Sequence, residues 1–212
     1  TFRGAMSILQ RNSRVVILIK ALPQPSKTYG ETVCCAGVTG TRDWKRLFPI
    51  RYRHLVGDSS FKRWDWVDFD FGRPKNDSRM ESCHVHEESI SIRGSLPKDE
   101  RTTLLEPMLV ASTDVAAAAG KSLALVRPRK SRFYWKQKSA DEIAGDKESF
   151  RLAARQTNLF DKELAEIEPT PFDLRFKFED DGGKHDCQNG DWEAHAMFWR
   201  EANRTNVKNA LN

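Results

Sequence analysis

The chain has no apolar run approaching the roughly 18 residues that span a bilayer as a helix. Its longest apolar block, Val15 to Ile19, extended past Lys20 by Ala21 and Leu22, is the length of a strand. Four cysteines in 212 residues, two of them adjacent at Cys34 and Cys35, do not make a secreted disulfide framework. A reducing cytoplasm is therefore the expected setting. Nothing before Val15 combines a charged start with the apolar stretch of a secretion signal, so no leader is expected. Thr1 to Ala5 read as foreign to the native chain, with Met6 as the expected start. Several catalytic signatures are also missing. There is no G-x-S-x-G elbow for a serine hydrolase, and neither C-x-x-C nor H-x-x-x-H for a metal. Ala116 to Ser122, A-A-A-A-G-K-S, imitates a phosphate-binding loop, but Val115 stands where the first glycine is required.

What is present suits a folded chain. Twelve Phe, six Trp and many Leu, Val and Ile suffice for a core that offsets chain entropy. One domain over 6–206, followed by a tail over 207–212, is expected from the length. The 35 Lys and Arg against 30 Asp and Glu give a net charge of only +5, but the charge is segregated. Thr41 to Arg63 holds seven basic and two acidic residues, Val126 to Lys138 six basic and none acidic, and Asp161 to Asp181 eight acidic and three basic. A field divided in this way attracts phosphate-bearing partners to its positive side and offers 161–181 to a basic protein partner.

Periodicity predicts strands at Val15 to Leu22, Glu31 to Val38 and Trp44 to Phe48, the last stopped by Pro49. In Trp64 to Phe71 the apolar phase changes between Trp66 and Val67, which requires a bulge or a sheet covered on both faces, as in a small curved barrel. A short strand follows at Ser89 to Arg93. A helix is expected over Lys98 to Val110, interrupted at Pro107, and another over Asp114 to Ala119, capped by Thr113 and ended by Gly120. Ser122 to Arg127 and Arg132 to Lys136 read as a basic hairpin. Ser139 to Glu168 reads as two helices broken at Thr157-Asn158. Phe172 to Glu179 alternates cleanly, with Phe172, Leu174, Phe176 and Phe178 inward, and turns at Asp181-Gly182-Gly183 into a partner strand. A last helix, Asp191 to Ala202, groups Trp192, His195, Ala196 and Trp199 on one face. Strands, helices and strands again, without βαβ alternation, imply an α+β fold. Its expected form is a curved antiparallel sheet or small β-barrel with helices from the middle and C-terminal parts packed on it.

The segments Lys20-Ala21-Leu22-Pro23, Ser26 to Gly37 and Trp44 to Arg53 (W-K-R-L-F-P-I-R-Y-R) resemble an uncharacterised family of bacterial proteins, mainly over Ile17 to Arg53. That resemblance implies no activity, and the functional reading rests on the residues.

Three chemistries are candidates. Nucleic acid demands clustered cations for phosphates and exposed rings for bases. Arg46, Arg51, Arg53, Lys62 and Arg63 with Trp44, and Arg129, Lys130 and Arg132 with Trp135, supply both. Basic residues snorkelling around a buried aromatic core are the plain alternative. Zinc could be held by Cys83, His84 and His86 with His185 and Cys187, since His84 and His86 share one face of an extended segment and His185 and Cys187 share one likewise. Magnesium with His185, Asp191 and Glu193 would make a phosphodiesterase or nuclease, although acids at a helix start ordinarily cap it. Nucleic-acid binding without a cofactor is the leading expectation, DNA or RNA undecided, with no membrane partner.

Overall fold

A computed structural model describes residues 11–26, 30–155 and 167–204. Its first half is a closed barrel of five strands: β1 (Arg11–Lys20), β3 (Gly30–Val38), β4 (Trp44–Ile50), β5 (Asp65–Gly72) and β6 (Ser82–Ser95). Neighbours run β1-β5-β6-β4-β3, and β3 returns to β1 to close the ring. All pairs are antiparallel except β4 with β6. A three-residue strand, β2 (Gln24–Ser26), pairs antiparallel with the start of β3. Counted within the barrel alone, this order and its single parallel pair are the connectivity of the five-stranded Greek-key barrel called the OB-fold.

Alternation fills the interior. Val15 and Ile17, Val33 and Cys35, Leu47, Val67 and Phe69, and Cys83 and Val85 point inward and close around Phe61. Trp64 and Trp66 face outward, where Leu104, Leu105 and Met108 cover them together with Val16, Val38 and Leu96. The phase change in β5 thus has both expected causes. Its outer face is covered by α1 (Glu100–Leu105) and the turn behind it, and its pairing with β6 slips twice, at Asp65/Val67 and at Asp68/Asp70.

The second half holds α2 (Thr113–Ala118), a two-residue parallel pair of β7 (Leu109–Val110) with β8 (Leu125–Val126), and α3 (Ala140–Arg155). A separate three-stranded sheet orders β11 (Gly183–Gln188), β10 (Phe172–Asp180) and β9 (Arg129–Gln137), with α4 (Trp192–Arg204) packed on Phe172 and Leu174. Among the described residues no helix is long and apolar enough to cross a membrane. The helix break at Thr157-Asn158, the acidic run before Ile167 and both chain ends lie outside the described residues.

Several local expectations are corrected. Pro49 does not stop β4, because it falls where β4 bulges against β3 between Val33 and Cys35, a position that needs no ladder N–H. β8 and β9 do not form a hairpin. β9 pairs instead with β10, matching Trp135 to Leu174 and Phe133 to Phe176. The cap of α2 is Ser112, extended in backbone, whose Oγ accepts the Val115 N–H at 3.2 Å. In α4 the buried stripe is His195, Phe198 and Ala202, with Ala196 exposed.

Barrel closure brings β1 and β3 unusually close at Gly37, where an added Cβ would lie 2.5 Å from the Val16 carbonyl oxygen. Gly37→Ala should therefore cost about 1–3 kcal/mol in urea unfolding, as overpacking does. Gly40→Ala, which meets nothing within 4 Å, should stay within about 0.5 kcal/mol.

Candidate nucleic-acid interface

A groove of about 830 Å³ opens over the barrel where β4 and β6 run parallel. The pleat decides what enters it. With Leu47 buried inside the barrel, Arg46 and Phe48 on β4 must face outward, and Arg46↔Ser82 and Phe48↔His84 are neighbours across the seam. His84 and His86 follow along β6, their ring centroids 6.3 Å apart in an edge-to-face pair. Cys34 of β3 lies on the far side. The connection between β5 and β6 forms the remaining wall and brings Arg73, Lys75 and Arg79.

That connection is held by one carboxylate. Asp77 accepts hydrogen bonds from the Arg79 backbone N–H at 3.1 Å, from Arg79 Nε at 2.8 Å and Nη2 at 2.7 Å, and from Ser82 Oγ at 2.6 Å. The Arg79 guanidinium and then the Ser82 hydroxyl hold the Asp77 carboxyl well below the ordinary range, so it stays ionised. Arg73 donates to the Ser78 carbonyl at 3.3 Å. Arg46 is fixed from beneath, with Nη2 2.9 Å from Ser122 Oγ and Nη1 3.6 Å from Cys34 Sγ, while its buried Nε has no hydrogen-bond partner among the described residues. Glu81 accepts the Ser122 N–H at 3.2 Å and its hydroxyl. Burial pushes the Glu81 pKa up, but hydrogen bonds from Ser122 and the charge of Arg46 prevail and leave it lowered. Phe48 stands among these cations with 37% of its surface exposed. The arrangement can therefore offer a ring face to an unpaired base and guanidinium and ammonium groups to its phosphates.

The residues singled out from sequence are dispersed. Of the ten in the nucleic-acid set, Arg46 alone lines the groove. Trp44 packs beside α1. Arg51 binds Glu87 at 2.9 Å, Arg53 lies half-buried in the turn Tyr52–His54, and Lys62 is exposed just before β5. Arg63 is paired with Asp191 and, at 3.3 Å, with Glu193. Arg129 pairs with Asp181 at 2.6 Å and Lys130 with Glu179 at 2.8 Å, whereas Arg132 and Trp135 are exposed on β9.

The metal and catalytic candidates separate in the same way. Cys83, His84 and His86 lie on β6, and His185 and Cys187 on β11 of the other sheet. Burial pushes the Cys83 thiol up to about 11, which keeps it protonated at neutral pH. Among the described residues no three His, Cys, Asp or Glu form a group that could hold an ion. Asp191 accepts the Glu193 N–H at 2.8 Å and so caps α4, while Glu193 also reaches buried Lys20 at 3.4 Å. His185 stacks on Phe178 and places Nε2 2.8 Å from Asp180 Oδ1.

Phe48, Arg73, Lys75 and Arg79 were not in the sequence-derived set. A signal for them existed. Phe48 shares the phase of Arg46, and Gly72-Arg73-Pro74-Lys75-Asn76-Asp77-Ser78-Arg79 is a basic, turn-rich segment that follows directly on a strand.

Residues 107–212, half of the chain, match the model of a family described as a domain of unknown function, DUF8757. The chain belongs to the DUF8757 family. Residues 11–107 match a second domain of unknown function, DUF8758, so the two models meet at Pro107, in the turn Glu106–Met108 that follows α1. No curated protein and no solved structure matches the chain. The resemblance to a family without an assigned activity is thereby borne out. The DUF8758 match contains the barrel and every residue lining the groove.

Asp180, buried, ties the β10–β11 turn to α2. It accepts N–H groups from Thr113 at 2.9 Å and Gly182 at 2.8 Å, besides the His185 contact. Burial raises its pKa, but these hydrogen bonds prevail and hold it at about 2, below the ordinary 3.8. Because the folded value is the lower one, its contribution to stability is complete above the ordinary value and fades as pH falls toward 2. Urea unfolding across that window should show a shallower acid loss for Asp180→Asn than for the parent chain.

Proposed function

We propose that the protein binds single-stranded nucleic acid in the groove above β4 and β6. The observation that carries this reading is the exposed Phe48 ring set among Arg46, Arg73, Lys75 and Arg79. Four cations against the single, already paired Asp77 leave the groove positive, which supplies phosphate affinity and steering. The ring adds a requirement that duplexes fail, because paired bases keep their faces stacked on one another. Connectivity supports the same place by analogy. OB-fold barrels bind oligonucleotides on their second and third strands and the adjoining loops, here β3, β4 and the β5–β6 connection.

Such binding needs no metal and no cofactor. It is favoured over phosphodiester hydrolysis because His185, Asp191 and Glu193 are each engaged elsewhere, the first with Asp180 and the other two with Arg63. Four free thiols suit the reducing cytoplasm proposed for it.

Fluorescence anisotropy with labelled single strands and duplexes over a salt series tests the reading. Single strands should bind more tightly than duplexes, with affinity falling steeply as salt rises. Arg73→Glu with Lys75→Glu should weaken binding at least tenfold and flatten the salt slope by about two contacts. Phe48→Ser should cost about 1–3 kcal/mol with the slope unchanged. No binding to any strand at low salt, or equal affinity in both variants, would overturn it.

A further inference from the structure

The groove holds more rings than Phe48. Phe48 on β4 lies opposite His84 on β6 across the parallel seam, and His86 follows two residues along β6 on the same outward face. The residues that alternate with them in β6, Cys83 and Val85, are buried in the barrel, which fixes both imidazoles outward. On the other side of β6, Gly72 stands opposite His84 and brings no side chain against it. The His86 side chain keeps 39% of its surface exposed. Phe48, His84 and His86 therefore run in a row along the floor, and each carries a single ring. Histidine is a base-stacking platform as phenylalanine is.

Their angles decide how a strand is received. The His84 and His86 rings meet edge to face, with an interplanar angle of 80° and centroids 6.3 Å apart. A base laid flat on one is then nearly perpendicular to a base laid flat on the next, so the two bases cannot stack on each other. A bound strand must be splayed, one base to a ring. Splaying costs a strand its own base stacking, which is greater for two-ring purines than for one-ring pyrimidines, and a single imidazole or phenyl ring covers a pyrimidine but only part of a purine. Purines thus lose more and regain less. Charge places the backbone. Beside His86, Glu88 Oε1 lies 4.0 Å from Nδ1, and Asp70 stands opposite in β5. Carboxylates there repel phosphates, which leaves the backbone to the wall of Arg73, Lys75 and Arg79 and turns the bases toward β6.

We propose that the groove selects pyrimidine-rich single strands, whose consecutive bases splay onto Phe48, His84 and His86. This rests on the groove reading and narrows its ligand. Phosphate contacts supply affinity common to all strands, and the row of single rings supplies the preference among them.

The test is anisotropy of the full chain with two labelled single strands of about 16 nucleotides, one all thymine and one all adenine, over a salt series. The thymine strand should bind about tenfold more tightly, with the same salt slope because the phosphates are equal in number. That comparison needs no variant, so it holds whatever a substitution does to folding. His84→Ser with His86→Ser should weaken the thymine strand about tenfold and narrow the preference, whereas His84→Phe with His86→Phe, which keeps a ring at each place, should retain both. If the parent chain binds the two strands equally or favours adenine while Phe48→Ser weakens binding, the pyrimidine proposal falls and the groove reading stands. The proposal falls in the same way if the Ser pair binds as the parent does, or if the Phe pair loses as much as the Ser pair. Binding of neither strand by the parent, or binding left unchanged by Phe48→Ser, overturns the groove reading and the proposal with it.

Discussion

Everything in the barrel depends on β1 hydrogen-bonding along both of its edges. It pairs with β5 from Arg11 to Val16 and with β3 from Val16 to Lys20, and the changeover coincides with a register shift between Ile17 and Ile19. Only a side chain as small as that of Gly37 lets the two backbones approach there. Closure removes the open edges that a five-stranded sheet would otherwise expose. Within the closed ring the last strand, β6, lies beside β4 in parallel, and that seam is the floor of the groove.

The distribution of ion pairs then separates structural cations from available ones. Lys20 is buried, donates to Tyr52 Oη at 3.1 Å, lies over the Tyr52 ring and meets Glu193 at 3.4 Å. Arg63 meets both Asp191 and Glu193. A buried ammonium is tolerated only when matched in this way. These contacts, with the bridge between Ala21 and Asp191 and the Leu22 N–H to Gly190 carbonyl bond, tie the start of α4 to the barrel, and so tie the DUF8757 segment to the DUF8758 segment. The acids at a helix start that suggest catalysis in sequence are employed in capping and joining. In the groove, by contrast, a single carboxylate faces four cations.

Much of the architecture was legible in the residues. Alternation located the barrel strands, the phase change in β5 announced its two covered faces, and Asp181-Gly182-Gly183 marked the β10–β11 turn. Partner choice was not legible, because β9 has apolar residues in phase with β10 and lies far from it in sequence. Nor could clustering in sequence reveal which cations converge. Arg51, Arg63, Arg129 and Lys130 are close to one another along the chain in two groups, yet each is matched to an acid from a distant element. Arg73, Lys75 and Arg79 gain their significance from the parallel seam beneath them, which is a property of barrel closure and of no local pattern.

The most direct test of the central claim is amide hydrogen exchange of the whole chain with and without a single-stranded oligonucleotide. Occupation of the groove should slow exchange over Trp44–Ile50 and over 73–86, with the opposite barrel strands β1 and β5 little changed. Protection confined to other elements, with both of those segments exchanging as in the free protein, would contradict the account.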